Sequence, residues 1–171
     1  QNDELKVIRD PNVMIPMRDG VRLAADIIRP EGSGRYPVLV IRGPYGKDSY
    51  LDNPDHSIWF FPKHGYVVVS QDCRARFESE GDYYDPLFQE VNDGYDTVEW
   101  AARQPWSNGR VGTTGQSYLG AAQYTLATSD PLPPHLQVMA PFSASADFHE
   151  SWGYHTGGAM EWGWMVPYAI F

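Results

Sequence analysis

The stretch 110–128 constrains the fold of this chain more than any other, because its residue types change abruptly in the middle. Residues 111–114 are rich in β-branched side chains, which are typical of a strand. From 118 to 128, alanine and apolar side chains recur at helical spacing. Gly115 and Ser117 stand between the two parts. The sequence therefore predicts a strand, a tight turn and a helix, in that order.

Ser117 is the candidate reactive residue of this turn. A strand, turn and helix with serine at the turn is the setting of a nucleophile elbow, where a strained backbone lifts the hydroxyl above the sheet edge. Gly115 suits such a turn, since a Cβ two residues before the serine would collide with the opposing chain. The general pattern has glycine two residues after the serine, whereas Leu119 stands there and Gly120 follows. The alternative is an ordinary turn in which Ser117 caps the helix.

The rest of the chain predicts an α/β sheet with an antiparallel start and a parallel body. Asp19-Gly20 between two apolar runs indicates a hairpin, and two later continuous apolar runs are typical of strands buried on both faces. Intervening helical patterns indicate crossover connections. Residues 1–10 are polar and are expected to form a loose start. The predicted strands are 13–16, 21–28, 36–42, 66–71, 111–114 and 136–140, and the predicted helices are 57–64, 87–103 and 118–128.

Charge and composition exclude several classes of function. The net charge is −9 and there is no run of Lys or Arg, which argues against nucleic acid or an anionic membrane as partner. No apolar stretch approaches the length of a membrane helix. One cysteine and five scattered histidines form no metal-binding pattern, and there is no glycine-rich phosphate loop. We therefore expect no metal and no cofactor.

Six sequence segments together carry a family resemblance. They are Ile15-Pro16-Met17-Arg18-Asp19-Gly20-Val21-Arg22-Leu23, Arg42-Gly43-Pro44-Tyr45, Gln71-Asp72-Cys73-Arg74, Ser79-Glu80-Gly81, Asn108-Gly109-Arg110-Val111-Gly112 and Gly115-Gln116-Ser117-Tyr118-Leu119-Gly120. In this order they resemble the cocaine esterase and X-Pro dipeptidyl-peptidase family of α/β-hydrolases, whose elbow is Gly-x-Ser-Tyr-x-Gly. The resemblance implies an α/β-hydrolase fold that is incomplete at the C-terminal end. Residues 1–147 would be the N-terminal part of the catalytic domain, and 148–171 the start of a helical cap.

The resemblance also implies roles for individual residues. Ser117 would be the acylated nucleophile, and the Tyr45 hydroxyl and the Tyr118 backbone N–H would form the oxyanion hole. Trp152 falls near a family aromatic residue that contacts the acyl group. The substrate would be a small-molecule ester or amide. Amino-ester hydrolases tend to carry Glu at the position of Leu119, which favours a plain ester here over X-Pro dipeptidyl-peptidase or α-amino-acid ester hydrolase activity. The alternative from another class is a non-catalytic module.

A serine nucleophile also requires a base and an orienting carboxylate. In the family, both lie downstream of the segment that this chain represents, so the expected partner is the remainder of the polypeptide carrying Asp and His. The isolated chain would then be inactive. The alternative is a local triad of Ser117 and Asp147 with His149 or His155, which has the usual chain order for the fold.

Several other polar residues are expected to have structural roles. His56, His64 and His135 are interpreted as surface or loop histidines. Cys73 is interpreted as a buried structural cysteine rather than a nucleophile. We expect three charged residues, Asp72, Arg74 and Glu80, to form a network that supports the loop after the second buried strand.

Overall fold

The computed structural model describes residues 4–53, 56–147, 154–155, 157, 159–163 and 165–166. Helices accompany the strands in the described residues. The strands are β1 (Val7–Pro16), β2 (Arg22–Pro30), β3 (Tyr36–Gly43), β4 (Val67–Asp72), β5 (Ser107–Gln116), β6 (Leu136–Phe142), β7 (Tyr154–His155) and β8 (Ala159–Met160). The helices are α1 (Ser57–Lys63), α2 (Glu90–Ala102) and α3 (Tyr118–Leu126).

Six of the strands form one mixed sheet in the order β1-β2-β4-β3-β5-β6. β1 and β2 form the antiparallel hairpin, and β2 pairs antiparallel with β4. From β4 onward, every neighbouring pair is parallel. The predicted α/β sheet with an antiparallel start and a parallel body is therefore confirmed.

The expected loose start is wrong from residue 7 onward. Residues 7–10 belong to β1 and pair with residues 27–30 of β2, beyond an irregularity between Asp10 and Val13. The polar composition of this segment did not predict a strand. The carboxylate of Asp10 accepts from Arg29 Nε at 2.8 Å across the hairpin, and Arg9 Nε donates to Asp26 in the same way. These cross-strand pairs allow charged residues to occupy a strand.

The second helix begins later than predicted, at Glu90 instead of Leu87. Leu87 has a φ of 70°, a left-handed conformation that cannot continue a helix. Its N–H donates to the hydroxyl of Tyr118 at 3.0 Å. A long-range contact at the elbow, which no local pattern reveals, thus determines the start of α2.

The core lies on both sides of the central strands. β4 is buried along its whole length, as its apolar run predicted. One apolar cluster joins the sheet to Val98 of α2 and Leu126 of α3, and another joins it to Ile58 of α1 and Leu119 of α3. Because β3, β4 and β5 are parallel, their C-terminal ends open at one edge of the sheet. The loops that follow these ends carry the candidate site.

The segment beyond β6 is described only in part. β7 and β8 pair as a short antiparallel ribbon. Trp152 lies outside the described residues, so its place near the acyl group stays a prediction, as does the division into 1–147 and a cap at 148–171. Among the helices of the described residues, not one has the length and apolar character needed to cross a membrane.

Candidate active site

Ser117 occupies the turn between β5 and α3 in a strained conformation. Its φ is 57° and its ψ is −122°, which a non-glycine residue rarely adopts. The residue is exposed although its neighbour Tyr118 is fully buried. The Ser117 N–H donates to the carbonyl of Phe142 at 3.2 Å, and its carbonyl accepts from Gly120 N at 2.9 Å. The end of β6 and the first turn of α3 therefore hold this strained backbone in place.

The glycines of the elbow are required by close approach of backbone and side chains. A Cβ on Gly115 would overlap Leu119 Cβ, and its φ of 155° also disfavours a side chain. A Cβ on Gly120 would lie 2.6 Å from Ala144 Cβ and 3.0 Å from the carbonyl oxygen of Gly115. Leu119 itself packs where a Cβ on Gly43 would be, 2.7 Å from its Cδ1. The leucine and the displaced glycine are thus two parts of one packing arrangement.

Tyr118 anchors the elbow from below. Its ring is 0% exposed, and its hydroxyl donates to Glu90 Oε1 at 3.2 Å while accepting from Leu87 N at 3.0 Å. Burial, followed by the negative charge of Glu90, strongly raises the pKa of this hydroxyl. Tyr118 therefore stays neutral and acts as a structural anchor through its side chain. Its backbone N–H lies in the first turn of α3, where N–H groups point along the helix axis and out of its N-terminal end.

Tyr45 lies in the turn after β3 and packs against Tyr118. The two ring centroids are 6.3 Å apart and the ring planes meet at 74°, an edge-to-face arrangement. Tyr45 is half-buried. It lines a recess with Tyr50 and Leu119, beside the elbow. The structure therefore places the ring of Tyr45 against that of Tyr118, the residue that follows Ser117.

Lys47 fixes the turn that carries Tyr45. Its N–H donates to Asp72 Oδ1 at 2.6 Å, and its carbonyl accepts from Ser70 Oγ at 3.1 Å. Its buried Nζ binds Glu78 Oε2 at 2.9 Å and lies 3.7 Å from Asp72 Oδ2 and 3.9 Å from Asp26 Oδ1. Main chain and side chain together therefore attach the turn to the end of β4, to β2 and to the following loop.

The ion pairs around Lys47 shift the pKa values of several groups. Burial raises the pKa of Asp72 to about 7, although the Lys47 N–H and ammonium group oppose the shift. Burial alone would lower the pKa of Lys47, but the hydrogen bond to Glu78 and the charges of Asp72 and Asp26 raise it overall. The hydrogen bond from Lys47 lowers the pKa of Glu78. Lys47 thus stays charged under the turn.

A second buried ionic cluster lies beneath the elbow. Arg42 at the end of β3 forms an ion pair with Glu90 and lies 3.9 Å from Asp93. Its Nε donates to Gln71 Oε1 at 2.5 Å. Arg74 binds the same Asp93 through two hydrogen bonds, at 3.0 and 2.6 Å. Since buried charges must be paired to be tolerated, these contacts specify how α2 packs on the strand ends.

The charged loop residues differ in detail from the expected network. Asp72, Arg74 and Glu80 each have charged partners, but the partners are different: Lys47, the pair Asp93 and Asp19, and Arg22 respectively. The three residues therefore support the loop separately, without forming a single network.

Cys73 is buried as expected, and burial raises the pKa of its thiol well above the ordinary value. A thiolate nucleophile is disfavoured there.

The described histidines make contacts away from Ser117. His56 caps α1 through its Nδ1, which accepts from Ile58 N at 3.3 Å, and burial lowers its pKa. It stacks on Tyr50, with ring centroids 4.3 Å apart, which puts it at the edge of the recess. His64 Nδ1 contacts the carbonyl of Phe60 at 2.7 Å. His135 Nδ1 lies 2.9 Å from Glu99, at the start of β6 and hence at the opposite end of the sheet from Ser117.

The proposed local triad remains a prediction. Asp147 is exposed, and its N–H donates to Ser145 Oγ at 3.0 Å after the end of β6. His149 lies outside the described residues, and the side chain of His155 is not described. Among the described residues, no group of three or more His, Cys, Asp or Glu side chains forms a metal site.

Three supporting residues of the site escaped the sequence reasoning: Glu90, Lys47 and Arg76. Arg76 donates from Nε to the carbonyl of Pro44 at 3.1 Å and so contacts the residue before Tyr45. A signal for Glu90 was present, because it and Asp93 fall three residues apart, on the face of α2 that is buried with Thr97. The partners of Lys47 lie 21 to 31 residues away in the chain, and no local spacing links them.

Comparison with known proteins identifies similar chains over almost the whole length. The model of the X-Pro dipeptidyl-peptidase (S15) family matches residues 19–168. The cocaine esterase of Rhodococcus sp. (strain MB1 Bresler) is 44% identical over 151 residues, which are 87% of this chain and 26% of the esterase.

Two solved structures extend the comparison to the fold. An aminopeptidase from the marine sediment archaeon Thaumarchaeota archaeon superposes with a TM-score of 0.81 at 30% identity, over 99% of this chain and 31% of its own. An α-amino acid ester hydrolase superposes with a TM-score of 0.77 at 30% identity, over 94% of this chain and 29% of its own. The chain thus spans less than a third of the length of each of these relatives. By its sequence match and its α/β-hydrolase fold, the chain belongs to the X-Pro dipeptidyl-peptidase (S15) family.

Proposed function

We propose that this chain carries the nucleophile and the oxyanion hole of a serine hydrolase that cleaves carboxylic esters. Ser117 is the nucleophile, and the Tyr45 hydroxyl and Tyr118 N–H are the oxyanion donors. The observation that carries the proposal is the conformation of Ser117, exposed with a φ of 57° at the turn from β5 into α3. A non-glycine residue in such a sparsely populated backbone conformation costs ~1–3 kcal/mol. Residues strained in this way are concentrated at functional sites.

The proposed reaction proceeds in two steps. Ser117 Oγ attacks the ester carbonyl carbon and gives its proton to a histidine base, and the carbonyl electron pair moves onto oxygen. The Tyr45 hydroxyl and Tyr118 N–H stabilise this oxyanion. Collapse of the intermediate breaks the bond to the alcohol, which leaves with the proton from the base. Water then attacks the acyl-enzyme in the same manner, releasing the acid and restoring Ser117.

The leucine at position 119 favours a plain ester over an α-amino ester or a peptide with a free amino end. Leu119 is buried and lines the recess with Tyr45 and Tyr50. A substrate ammonium group needs a carboxylate to receive it, and position 119 supplies none. The family description, and the aminopeptidase and amino ester hydrolase among the similar structures, favour X-Pro dipeptidyl-peptidase or α-amino-acid ester hydrolase activity as the second candidate.

We further propose that the catalytic Asp and His come from polypeptide outside these 171 residues. The similar proteins are matched over only 26% to 31% of their length. The three histidines with described side chains contact groups other than Ser117. On this basis the isolated chain is inactive, and the complete polypeptide that carries it is the active enzyme.

Labelling with a fluorophosphonate tests the nucleophile. In the complete polypeptide, the expected result is one label per chain, lost in Ser117→Ala and retained in Ser107→Ala, a serine at the other end of β5. Labelling that survives Ser117→Ala would show that another residue reacts. Absence of labelling in the intact protein would support a non-catalytic module on this fold.

The choice of substrate is tested separately. Turnover of a benzoyl ester, an α-amino-acid ester and an Xaa-Pro peptide by the complete polypeptide is compared through kcat/KM. The proposal expects the benzoyl ester to be hydrolysed fastest. Preference for the α-amino ester or the Xaa-Pro peptide would replace the plain-ester assignment by the second candidate. Equal turnover of all three would remove the distinction.

A further inference from the structure

Arg76 lies in a strained part of the loop after β4. Its neighbours Ala75 and Phe77 have φ angles of 56° and 49°. Two non-glycine residues in this region cost roughly 1–3 kcal/mol each, and they persist only where surrounding contacts hold them. The Arg76 N–H donates to the carbonyl of Cys73 at 3.1 Å, and the Ala75 N–H donates to the carbonyl of Glu80 at 3.0 Å. The backbone thus presents the Arg76 side chain from a fixed position.

The guanidinium group of Arg76 contacts the turn that carries Tyr45. Its Nε donates to the carbonyl of Pro44 at 3.1 Å. Its Cζ is 5.4 Å from the ring centre of Phe77, and that ring lies beside Gly46, since a Cβ on Gly46 would be 3.4 Å from Phe77 Cε1. Arg76 and Phe77 therefore touch the chain immediately before and immediately after Tyr45.

The same guanidinium group also contacts the elbow side of the site through Tyr84. Arg76 Cζ is 5.3 Å from the ring centre of Tyr84, within the range of a cation–π interaction. The ring of Tyr84 packs on that of Tyr118, with centroids 6.4 Å apart. A single planar group thus connects the Tyr45 turn to the ring of the elbow residue.

We propose that Arg76 is a positioning residue for the oxyanion hole: it sets the distance between the Tyr45 hydroxyl and the Tyr118 N–H. The inference rests on the proposed function of these two donors. Two donors stabilise an oxyanion only if both are already in place when the charge develops, because reorganisation would cost part of the gain. Arg76 supplies this placement without touching the substrate.

The planar shape of arginine matters for this role. Its guanidinium group can stack against rings while Nε donates in the plane, whereas the ammonium group of lysine is a point charge on a flexible stem. A displaced donor lowers the rate of the chemical step more than it lowers substrate affinity. A misplacement of about 1 Å can cost on the order of 100-fold, so a partial release of the Tyr45 turn is expected to cost about 10-fold.

The test is a double-mutant cycle on the complete polypeptide, assayed by hydrolysis of a benzoyl ester. Arg76→Met is expected to lower kcat about 10-fold with a change of less than about twofold in KM. Arg76→Lys, which keeps the charge but loses the plane, is expected to behave like Arg76→Met. In a Tyr45→Phe background, Arg76→Met is expected to cost less than about threefold, since the hydroxyl to be positioned is gone. Arg110→Met, at an exposed arginine of β5, is the control and is expected to keep full activity.

Three results would overturn the proposal. One is an unchanged kcat in Arg76→Met, and another is full activity in Arg76→Lys. The third is a loss of the same size in the Tyr45→Phe background, which would show that Arg76 acts independently of the hydroxyl. Melting temperatures are measured for every variant, and Arg76→Lys replaces Arg76→Met in the cycle if the latter is unfolded at the assay temperature.

Failure of this inference is distinguishable from failure of the proposed function. If Ser117→Ala and Tyr45→Phe lose activity while the Arg76 variants do not, only the role of Arg76 is wrong. If Ser117→Ala retains full activity, the assignment of the nucleophile is wrong, and the positioning role of Arg76 is wrong with it.

Discussion

The hydroxyl of Tyr118 and the carboxylate of Glu90 form a buried hydrogen bond of 3.2 Å. The same carboxylate forms an ion pair with Arg42, which lies three residues before Tyr45 at the end of β3. One carboxylate of α2 therefore connects the elbow to the strand that leads into the Tyr45 turn. This contact links the stability of the fold to the geometry of the candidate site.

Removing the charge of Glu90 is expected to destabilise the protein strongly. Glu90→Gln leaves Arg42 buried without its main partner, and loss of one member of a buried ion pair typically costs about 3–5 kcal/mol. The free energy of unfolding in urea measures the effect. Glu80→Gln is the matched control, because the Glu80 pair with Arg22 is exposed and solvent screens its attraction, so that its loss changes stability little. Equal losses in the two variants would contradict the prediction.

Removing the Tyr45 hydroxyl is expected to lower the rate without unfolding the protein. Tyr45→Phe keeps the edge-to-face contact with Tyr118 but deletes the proposed oxyanion donor, and loss of one such donor costs on the order of 100-fold or more. The measurement is kcat/KM for ester hydrolysis by the complete polypeptide. Tyr50→Phe, in the same recess and stacked on His56, is the control. A rate within about threefold of wild type would remove Tyr45 from the oxyanion hole.

The buried carboxyl of Asp72 is expected to make stability fall with rising pH. Burial raises its pKa from the ordinary value of 3.8 to about 7. Between these values the folded state binds a proton that the unfolded state has lost, so its contribution to the unfolding free energy decreases as pH rises and is constant above about 7. Asp72→Asn keeps the acceptor for the Lys47 N–H but cannot titrate.

The measurement is the difference in unfolding free energy between wild type and Asp72→Asn across this pH range. From about pH 4 to about pH 7, the unfolding free energy of wild type is expected to decrease relative to that of Asp72→Asn. A constant difference, or one that moves in favour of wild type, would show that Asp72 is not held with a raised pKa in the folded state.

A side chain at Gly115 is expected to disrupt the elbow. In Gly115→Ala the new Cβ overlaps Leu119, and relief of such overpacking costs about 1–3 kcal/mol in addition to backbone strain. Thermal melting measures the loss. Gly32→Ala is the matched control, because Gly32 also has a positive φ, 104°, but no atom lies within 4 Å of its new Cβ. If the two variants have the same melting temperature, close packing is not the reason for glycine at 115.

The order of elements was predictable because local patterns report backbone preference directly. The β-branched run before Gly115, the Asp19-Gly20 turn and the continuous apolar run of β4 each predicted the observed element. Prediction failed where a long-range contact overrides the local pattern. β1 begins within a polar stretch because of cross-strand ion pairs, and α2 begins at Glu90 because the Leu87 N–H binds Tyr118.

Part of the candidate site was likewise predictable. The spacing of Gly115 and Ser117 indicated the elbow, and the structure has Ser117 exposed in the strained turn that this spacing requires. The resemblance pointed to Tyr45, which packs on Tyr118. Trp152 and the source of the base remain predictions.

The amino-acid sequence alone determined the strand-turn-helix around Ser117, the alternation of strands and helices, and the family. These depend on neighbouring residues, whose spacing sets backbone conformation and the buried face of each element. Only the tertiary structure decided which charges lie under the site, as in the pairs of Arg42 with Glu90 and Lys47 with Asp72. Their partners lie 25 to 48 residues apart and meet because the sheet order brings the ends of β3 and β4 together with α2. The free energy of a buried charge depends on the oppositely charged partner beside it. These partners are distant in the chain, so local sequence patterns do not predict them.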